Sequence, residues 1–240
     1  MPKIGYVKIK LHRQLPRLYR IKNCAIEHTS SDKYYISILV ESEYSAPRIE
    51  LDRNKSIGLD YSGPSFYVDS QGVKANYPKF YRKYENKIKK EQRALSRKVR
   101  GSRNYEKQRI KLAKVYDKIV NRRKDWLNNL SIKLVKRYDY ICVENLDMVG
   151  IGKTLRLGKN TYDNSWGIFV KMLQYKADSL GKKLVKIDRW FPSSKTCRFC
   201  GYINKNLKLK DREWECECGA RILRDENAAI NILNEGLKSV

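Results

Sequence analysis

Hydrophobic and polar positions alternate near the start of the chain. Gly5-Tyr6-Val7-Lys8-Ile9-Lys10-Leu11 reads as a strand, and Tyr34-Tyr35-Ile36-Ser37-Ile38-Leu39-Val40 reads as another behind the turn Ser30-Ser31-Asp32. From Ser56 the pattern lengthens. Ser56–Asp60 and Ser65–Asp69 predict two strands, Ser70-Gln71-Gly72 a turn, and Val73–Tyr77 a third strand. Residues 79–137 then take the helical period. Ile88, Leu95 and Val99 mark one apolar stripe, Gly101-Ser102 breaks it, and Ile110 or Leu112, Val115, Ile119, Trp126, Leu130 and Leu134 mark a second. A helical hairpin is the economical arrangement. Tyr138–Glu144 is an apolar run of strand length, as a central strand requires. Gly150–Asn160, rich in Gly and Lys, reads as a loop. Asp163 or Asn164 then caps a helix that buries Trp166, Phe169 or Val170, Leu173, Ala177 and Leu180 and stops at Gly181. Lys183–Asp188 predicts a further strand. The last helix starts near Asp225 and buries Ala228, Ala229 and Ile232 or Leu233.

This order is a strand hairpin, a helical crossover to a strand ending in Glu, a second crossover, another strand and a final helix. It predicts an α/β fold of the ribonuclease H-like class, in which right-handed crossovers bring Asp60 and Glu144 to neighbouring strand ends. The expected domains are a short-stranded segment at 1–54, an α/β domain at 55–192 and 223–240, and a cysteine-bearing insertion at 193–222.

Charge narrows the partners. The 240 residues carry 52 Lys+Arg against 26 Asp+Glu, a formal net charge of +26. Such a surplus repels itself unless a polyanion is present, and nucleic acid is the commonest one. Ribosomal proteins and binders of anionic membranes share this composition. No apolar run approaches a membrane span, and Met1-Pro2-Lys3-Ile4-Gly5 does not read as a signal peptide, so a cytoplasmic, nucleoid-associated protein is expected. The surplus concentrates in the helical hairpin: Lys79 to Lys124 holds 19 Lys or Arg against four acids. Pairing along a helix cannot neutralise that ratio, which favours a phosphate-binding face over a merely solvated one. Lys87, Lys90, Arg93, Arg97, Lys98, Arg103, Lys107, Arg109 and Lys111 are the expected nucleic-acid-binding residues.

Two constellations carry candidate chemistry. Cys197-Arg-Phe-Cys200-Gly201 and Cys216-Glu-Cys218-Gly219 form two knuckles, while Cys24 and Cys142 stand apart. In a chain without a secretory signal this spacing reads as a metal site before it reads as disulfides. Four thiolates and no nearby His describe a closed, structural Zn²⁺ site; an iron–sulfur cluster or unmetallated thiols are the alternatives. The second constellation is three carboxylates: Asp60 in Ser-Ile-Gly-Leu-Asp-Tyr, Glu144 in Tyr-Ile-Cys-Val-Glu-Asn-Leu, and Asp225 in Arg-Asp-Glu-Asn-Ala-Ala-Ile. Taken singly they read as a turn residue, a polar strand end and a helix N-cap. Gathered in one cleft, they would give two Mg²⁺ ions an all-oxygen site able to cut phosphodiester bonds.

Gly58-Leu59-Asp60-Tyr61-Ser62, Val143-Glu144-Asn145-Leu146, Phe191-Pro192-Ser193-Ser194-Lys195-Thr196-Cys197 and Arg224-Asp225-Glu226-Asn227-Ala228-Ala229-Ile230-Asn231-Ile232 resemble the OrfB/TnpB family of insertion-sequence proteins, relatives of the type V CRISPR effectors. The resemblance implies a RuvC-like nuclease domain with helical-hairpin and zinc-ribbon insertions, behind a partial β-barrel (wedge) segment. It implies Asp60, Glu144 and Asp225 as Mg²⁺ ligands. It also implies a guide RNA transcribed from the element's end that directs cleavage of target DNA. Leu223 departs from the family pattern, which commonly has an acid two positions before the last catalytic Asp. Family members usually carry a recognition lobe of well over a hundred residues ahead of the segment resembling Pro2-Lys3-Ile4-Gly5, so this chain resembles an N-terminally truncated member. An RNA-guided endonuclease of a mobile element is the first expectation. A non-cleaving RNA- or DNA-binding remnant, or one half of a split nuclease completed by a separately encoded N-terminal lobe, is the alternative. A basic structural RNA-binding protein would explain the charge but not the ordered motifs.

Overall fold

The computed structural model describes residues 5–12, 14, 20–41, 43, 45–148, 150, 165–208 and 210–240. Two compact units emerge, Met1–Ser45 and Ala46–Val240. In the first, β1 (Arg20–His28) and β2 (Tyr34–Glu41) pair antiparallel, with a bulge between Ile21 and Asn23. The reversal is closed by the Thr29 amide donating to the Lys33 carbonyl at 2.9 Å. The strand expected at Gly5–Leu11 does not form, and Tyr6, Val7, Ile9 and Leu11 are exposed. Alternation alone does not hold a strand; its backbone groups need a partner edge. The described part of this unit is therefore one two-stranded ladder where the resemblance implies a partial barrel.

The second unit is built on a four-stranded sheet of order β4-β3-β5-β6, from β3 (Ser56–Ser62), β4 (Phe66–Asp69), β5 (Tyr140–Glu144) and β6 (Lys183–Ile187). β3 pairs antiparallel with β4 and parallel with β5, and β5 pairs parallel with β6. The expected third strand at Val73–Tyr77 shrinks to one bridge, Val68–Lys74. Tyr77 leaves the ladder to stack in the core, its ring 5.7 Å from Phe66 and 5.1 Å from Trp126.

Helices cover both faces, and the strand alternation says which residue faces which. Ile57, Leu59, Ile141 and Val143 join one cluster with α1 (Phe80–Ser96), α2 (Arg103–Arg137) and α3 (Trp166–Ser179). The intervening Cys142 packs on the opposite side with Ile187 and with Ile232 of α4 (Arg224–Lys238). Gly58 lies on that same side, where a Cβ would run into the Ala229 carbonyl oxygen, so α4 rests directly on the β3 backbone. By parity, Asp60 and Glu144 share the α4 side of the sheet.

The helical hairpin forms as the sequence predicts. Ser102 caps α2 by accepting from the Tyr105 amide at 3.1 Å. Val115, Ile119 and Leu134 are buried, while Trp126 and Leu130 pack at the margin. Val99 departs from its expected stripe: α1 ends at Ser96, and Val99 is 78% exposed in the turn. α3 buries Trp166, Phe169, Leu173 and Ala177 as expected. The Asp163 or Asn164 cap and the loop at 151–160 lie outside the described residues. Among the described residues, no helix is long and apolar enough to cross a membrane.

Candidate active site and cysteine centre

Leu59 of β3 and Val143 of β5 are register partners. Asp60 and Glu144 each follow them by one residue on neighbouring parallel strands, Glu144 as the last residue of β5 and Asp60 two residues before the end of β3. Glu144 is itself level with Ile187 on β6. The third carboxylate arrives from the other layer. Asp225 occupies the first turn of α4, whose N-cap is Leu223 without a side-chain capping bond. The cap reading of Asp225 thus gives way: its carboxylate is turned to an ion pair with Arg212 Nη1 at 3.5 Å.

Both other carboxylates act electrostatically on Asp60. Burial pushes Asp60 well above the usual carboxylate range; Glu144 and then Asp225 push it further, and Arg224 and Arg212 pull part of the way back. Burial also raises Glu144, against the hydroxyl of Ser193, which donates to Glu144 Oε1. Asp60 thus feels two neighbouring carboxylates and two arginines, and carboxylate oxygens are the donors that hard cations prefer.

The four cysteines gather more tightly. Their sulfurs all lie within 4.8 Å of one another, with Cys197–Cys218 at 3.9 Å and Cys200–Cys216 at 3.5 Å. Gly201 and Gly219 follow the knuckles at φ +77° and +82°, a turn that residues with a Cβ rarely adopt. Burial opposes ionisation of Cys197, but the Cys200 and Phe199 amides hold its pKa down to about 7. The short ladder of β7 (Glu213–Glu215) and β8 (Arg221–Leu223) carries the second knuckle, with Trp214 and Ile222 packed against Cys197 and Cys216.

Sequence reasoning missed the residues that tie this module to the carboxylates. Asn227 and Asn231 lie four apart on α4, and both are buried. Asn227 donates to the Thr196 carbonyl at 2.7 Å and accepts from the Arg198 amide at 3.0 Å. Asn231 donates to the carbonyls of Ser193 at 2.8 Å and Thr196 at 2.6 Å. Arg198 pairs with Glu226 at 2.9 Å. Two amides on the buried stripe of an amphipathic helix were the available signal, because buried polar groups take partners.

The nine basic residues expected to bind nucleic acid lie on α1, α2 and the turn between them. All are exposed except Arg109, which is half-buried and paired with Glu106 at 2.7 Å. The structure adds a groove of about 390 Å³ between the two helices, lined by Tyr84, Lys87, Glu91, Lys111, Lys114, Val115 and Lys118. Lys118 and Arg122 stand over the Tyr84 ring at 5.8 and 5.7 Å.

Comparison with known proteins places the chain among relatives. The family model OrfB_IS605, described as "Probable transposase", matches residues 37–154, and the Cas12f1-like TNB domain matches residues 166–232. A Streptomyces pristinaespiralis protein named "Putative RNA-guided DNA endonuclease" is 37% identical over 95% of this chain and 56% of its own length. The similarly named InsQ of Escherichia coli K12 is 28% identical over 98% of this chain and 61% of its own. The chain therefore spans little more than half the length of these two relatives. In fold it is similar to Cas12f1, as seen in a cryo-EM complex of Cas12f1 with sgRNA and target DNA. The TM-score is 0.60 at 15% identity, covering 90% of this chain and 46% of the other.

Proposed function

The chain belongs to the OrfB/TnpB family, and from that premise we propose that it carries the nuclease portion of an RNA-guided DNA endonuclease. Its reaction is hydrolysis of a DNA phosphodiester bond at a RuvC-like site formed by Asp60, Glu144 and Asp225. Asp60 and Glu144 each lie one residue beyond the register pair Leu59–Val143, and Asp225 lies in the first turn of α4, which supports this assignment. Two Mg²⁺ ions bound there would supply an activated water and a counter-charge for the leaving oxygen. Arg212 and Arg224, the cations acting on Asp60, are placed to soften repulsion while the site is metal-free. The four cysteines hold a structural Zn²⁺: a tetrahedron of roughly 2.3 Å Zn–S bonds has edges of about 3.8 Å, and four sulfurs leave no open position for chemistry. The basic hairpin grips the guide–target duplex by its phosphates, leaving sequence choice to base pairing.

The observation that carries this reading is the coupling of Asp60 to both Glu144 and Asp225, three groups from two strands and a helix. The test incubates the purified chain with end-labelled single-stranded DNA and Mg²⁺, with and without RNA from the element's end. Nicking is expected, and it should vanish in Asp60→Ala and Glu144→Gln while nucleic-acid binding stays near that of the parent. Nicking that survives both substitutions would overturn the assignment.

A further inference from the structure

We propose that Ser193, anchored by Asn231, is a positioning residue that sets the orientation of Glu144 for metal binding. The inference rests on the nuclease reading above and deepens it. Ser193 is buried, 5% exposed, and its hydroxyl donates to Glu144 Oε1. A hydroxyl has one proton to donate. Given to Oε1, it fixes which oxygen of Glu144 stays tied to the protein and leaves Oε2 to the cleft.

The backbone of Ser193 has little freedom. Its amide donates to the Phe191 carbonyl at 2.8 Å, and its carbonyl accepts from Asn231 Nδ2 at 2.8 Å. Phe191 in turn packs with Cys142, Ile187 and Ile232, and so joins this loop to β5, β6 and α4. The same Asn231 amide also binds the Thr196 carbonyl, one residue before the Cys197 ligand position, where Asn227 donates as well. α4 therefore does two things at once. Its first turn delivers Asp225, and its second and third turns clamp the loop whose hydroxyl orients Glu144. Two carboxylates from different layers are referenced to one rigid helix. The base of the cysteine module shares the clamp, so it acts as a strut for Glu144 as well as a fold element. Partners one shell out from a metal commonly set ligand orientation in this way, and removing one typically costs 10–100-fold in metal affinity or activity.

The experiment measures Mn²⁺ binding to the full chain by electron paramagnetic resonance, without nucleic acid, beside the Mg²⁺ dependence of nicking. Ser193→Ala should weaken Mn²⁺ binding roughly 10–100-fold and raise the Mg²⁺ needed for half-maximal nicking, with zinc content and melting temperature unchanged. Ser193→Thr, which keeps the hydroxyl, should restore both. In a Glu144→Gln background, Ser193→Ala should have no further effect on Mn²⁺. Asn231→Leu provides a second variant and should move Mn²⁺ affinity in the same direction as Ser193→Ala. A parent chain that binds no Mn²⁺ would sink the nuclease reading together with this proposal. A parent that binds Mn²⁺ while Ser193→Ala binds it equally well would overturn this proposal alone.

Discussion

Asp60 of β3 and Glu144 at the end of β5 each lie one residue beyond the register pair Leu59–Val143. Burial and then the Glu144 and Asp225 carboxylates raise Asp60 well above 3.8, so the folded protein holds this proton more tightly than the unfolded chain does. The contribution of Asp60 to stability is therefore most favourable at low pH. It is lost as pH rises from the unfolded carboxylate value through the raised folded one. In divalent-free buffer, Asp60→Asn should melt above the parent at pH 7, by about 2–4 °C for each kcal/mol of repulsion removed. The difference should shrink toward pH 4. Scanning calorimetry across pH checks this; a variant that melts below the parent at neutral pH contradicts it.

Gly58 is where α4 meets the sheet. A Cβ there would press on the Ala229 carbonyl oxygen and lie 2.8 Å from the Leu233 amide nitrogen, backbone atoms that cannot swing aside. Gly58→Ala should cost roughly 1–3 kcal/mol in denaturant unfolding, as overpacking does. Displacement of α4 also shifts Asp225 against Asp60, so nicking should fall more than the folded fraction does. An unchanged unfolding midpoint would refute the close approach.

The cysteine centre should behave as a metal-dependent fold element. Cys197→Ser is expected to release about one zinc ion per chain and to expose residues near 195–222 to proteolysis, since metal binding supplies much of the folding free energy of such modules. Because Thr196 accepts from both Asn227 and Asn231, the damage should spread into the first turns of α4. Hydrogen exchange reads this directly: protection that disappears at 195–222 but persists at 225–231 would uncouple the two.

Strand and helix identity was legible wherever a period ran into a solid core. The run Tyr138–Glu144 gives a strand over Tyr140–Glu144, Tyr138 instead closing the preceding helix, and the Val115–Ile119–Leu134 stripe is buried as its period predicts. Gly5–Leu11 has the alternation of a strand but forms none, and Val73–Tyr77 gives its ladder up to bury Tyr77 among Phe66 and Trp126. Element order predicts Asp60 and Glu144 on neighbouring strands, whereas the contact that sets α4 against β3, its backbone resting on Gly58, joins segments far apart in sequence. Ser193, Asn227 and Asn231 escaped as site residues for a similar reason. Ser and Asn have many uses, and only three-dimensional placement shows one hydroxyl and two amides joining Glu144, the cysteine module and α4.

The basic hairpin separates binding from catalysis. Lys87, Lys111, Lys114 and Lys118 line one groove with a single acid, Glu91, among them, and Glu91 already accepts from Gln108 at 2.7 Å. Two of the four, Lys87 and Lys111, are expected from sequence; Lys114 and Lys118 are added by the way α2 packs on α1. If the groove holds a phosphate backbone, removing one lysine–phosphate pair should reduce the slope of log affinity against log salt by roughly 0.7–0.9. Reversing all four lysines to glutamate should then lower the slope by about 3 for RNA and DNA alike, with little sequence dependence and no change in zinc content. A solvated face would instead leave the slope where it was. Affinities measured across a salt series decide between the two: parallel lines for parent and variant would remove the groove from the nucleic-acid surface, whatever the carboxylates do.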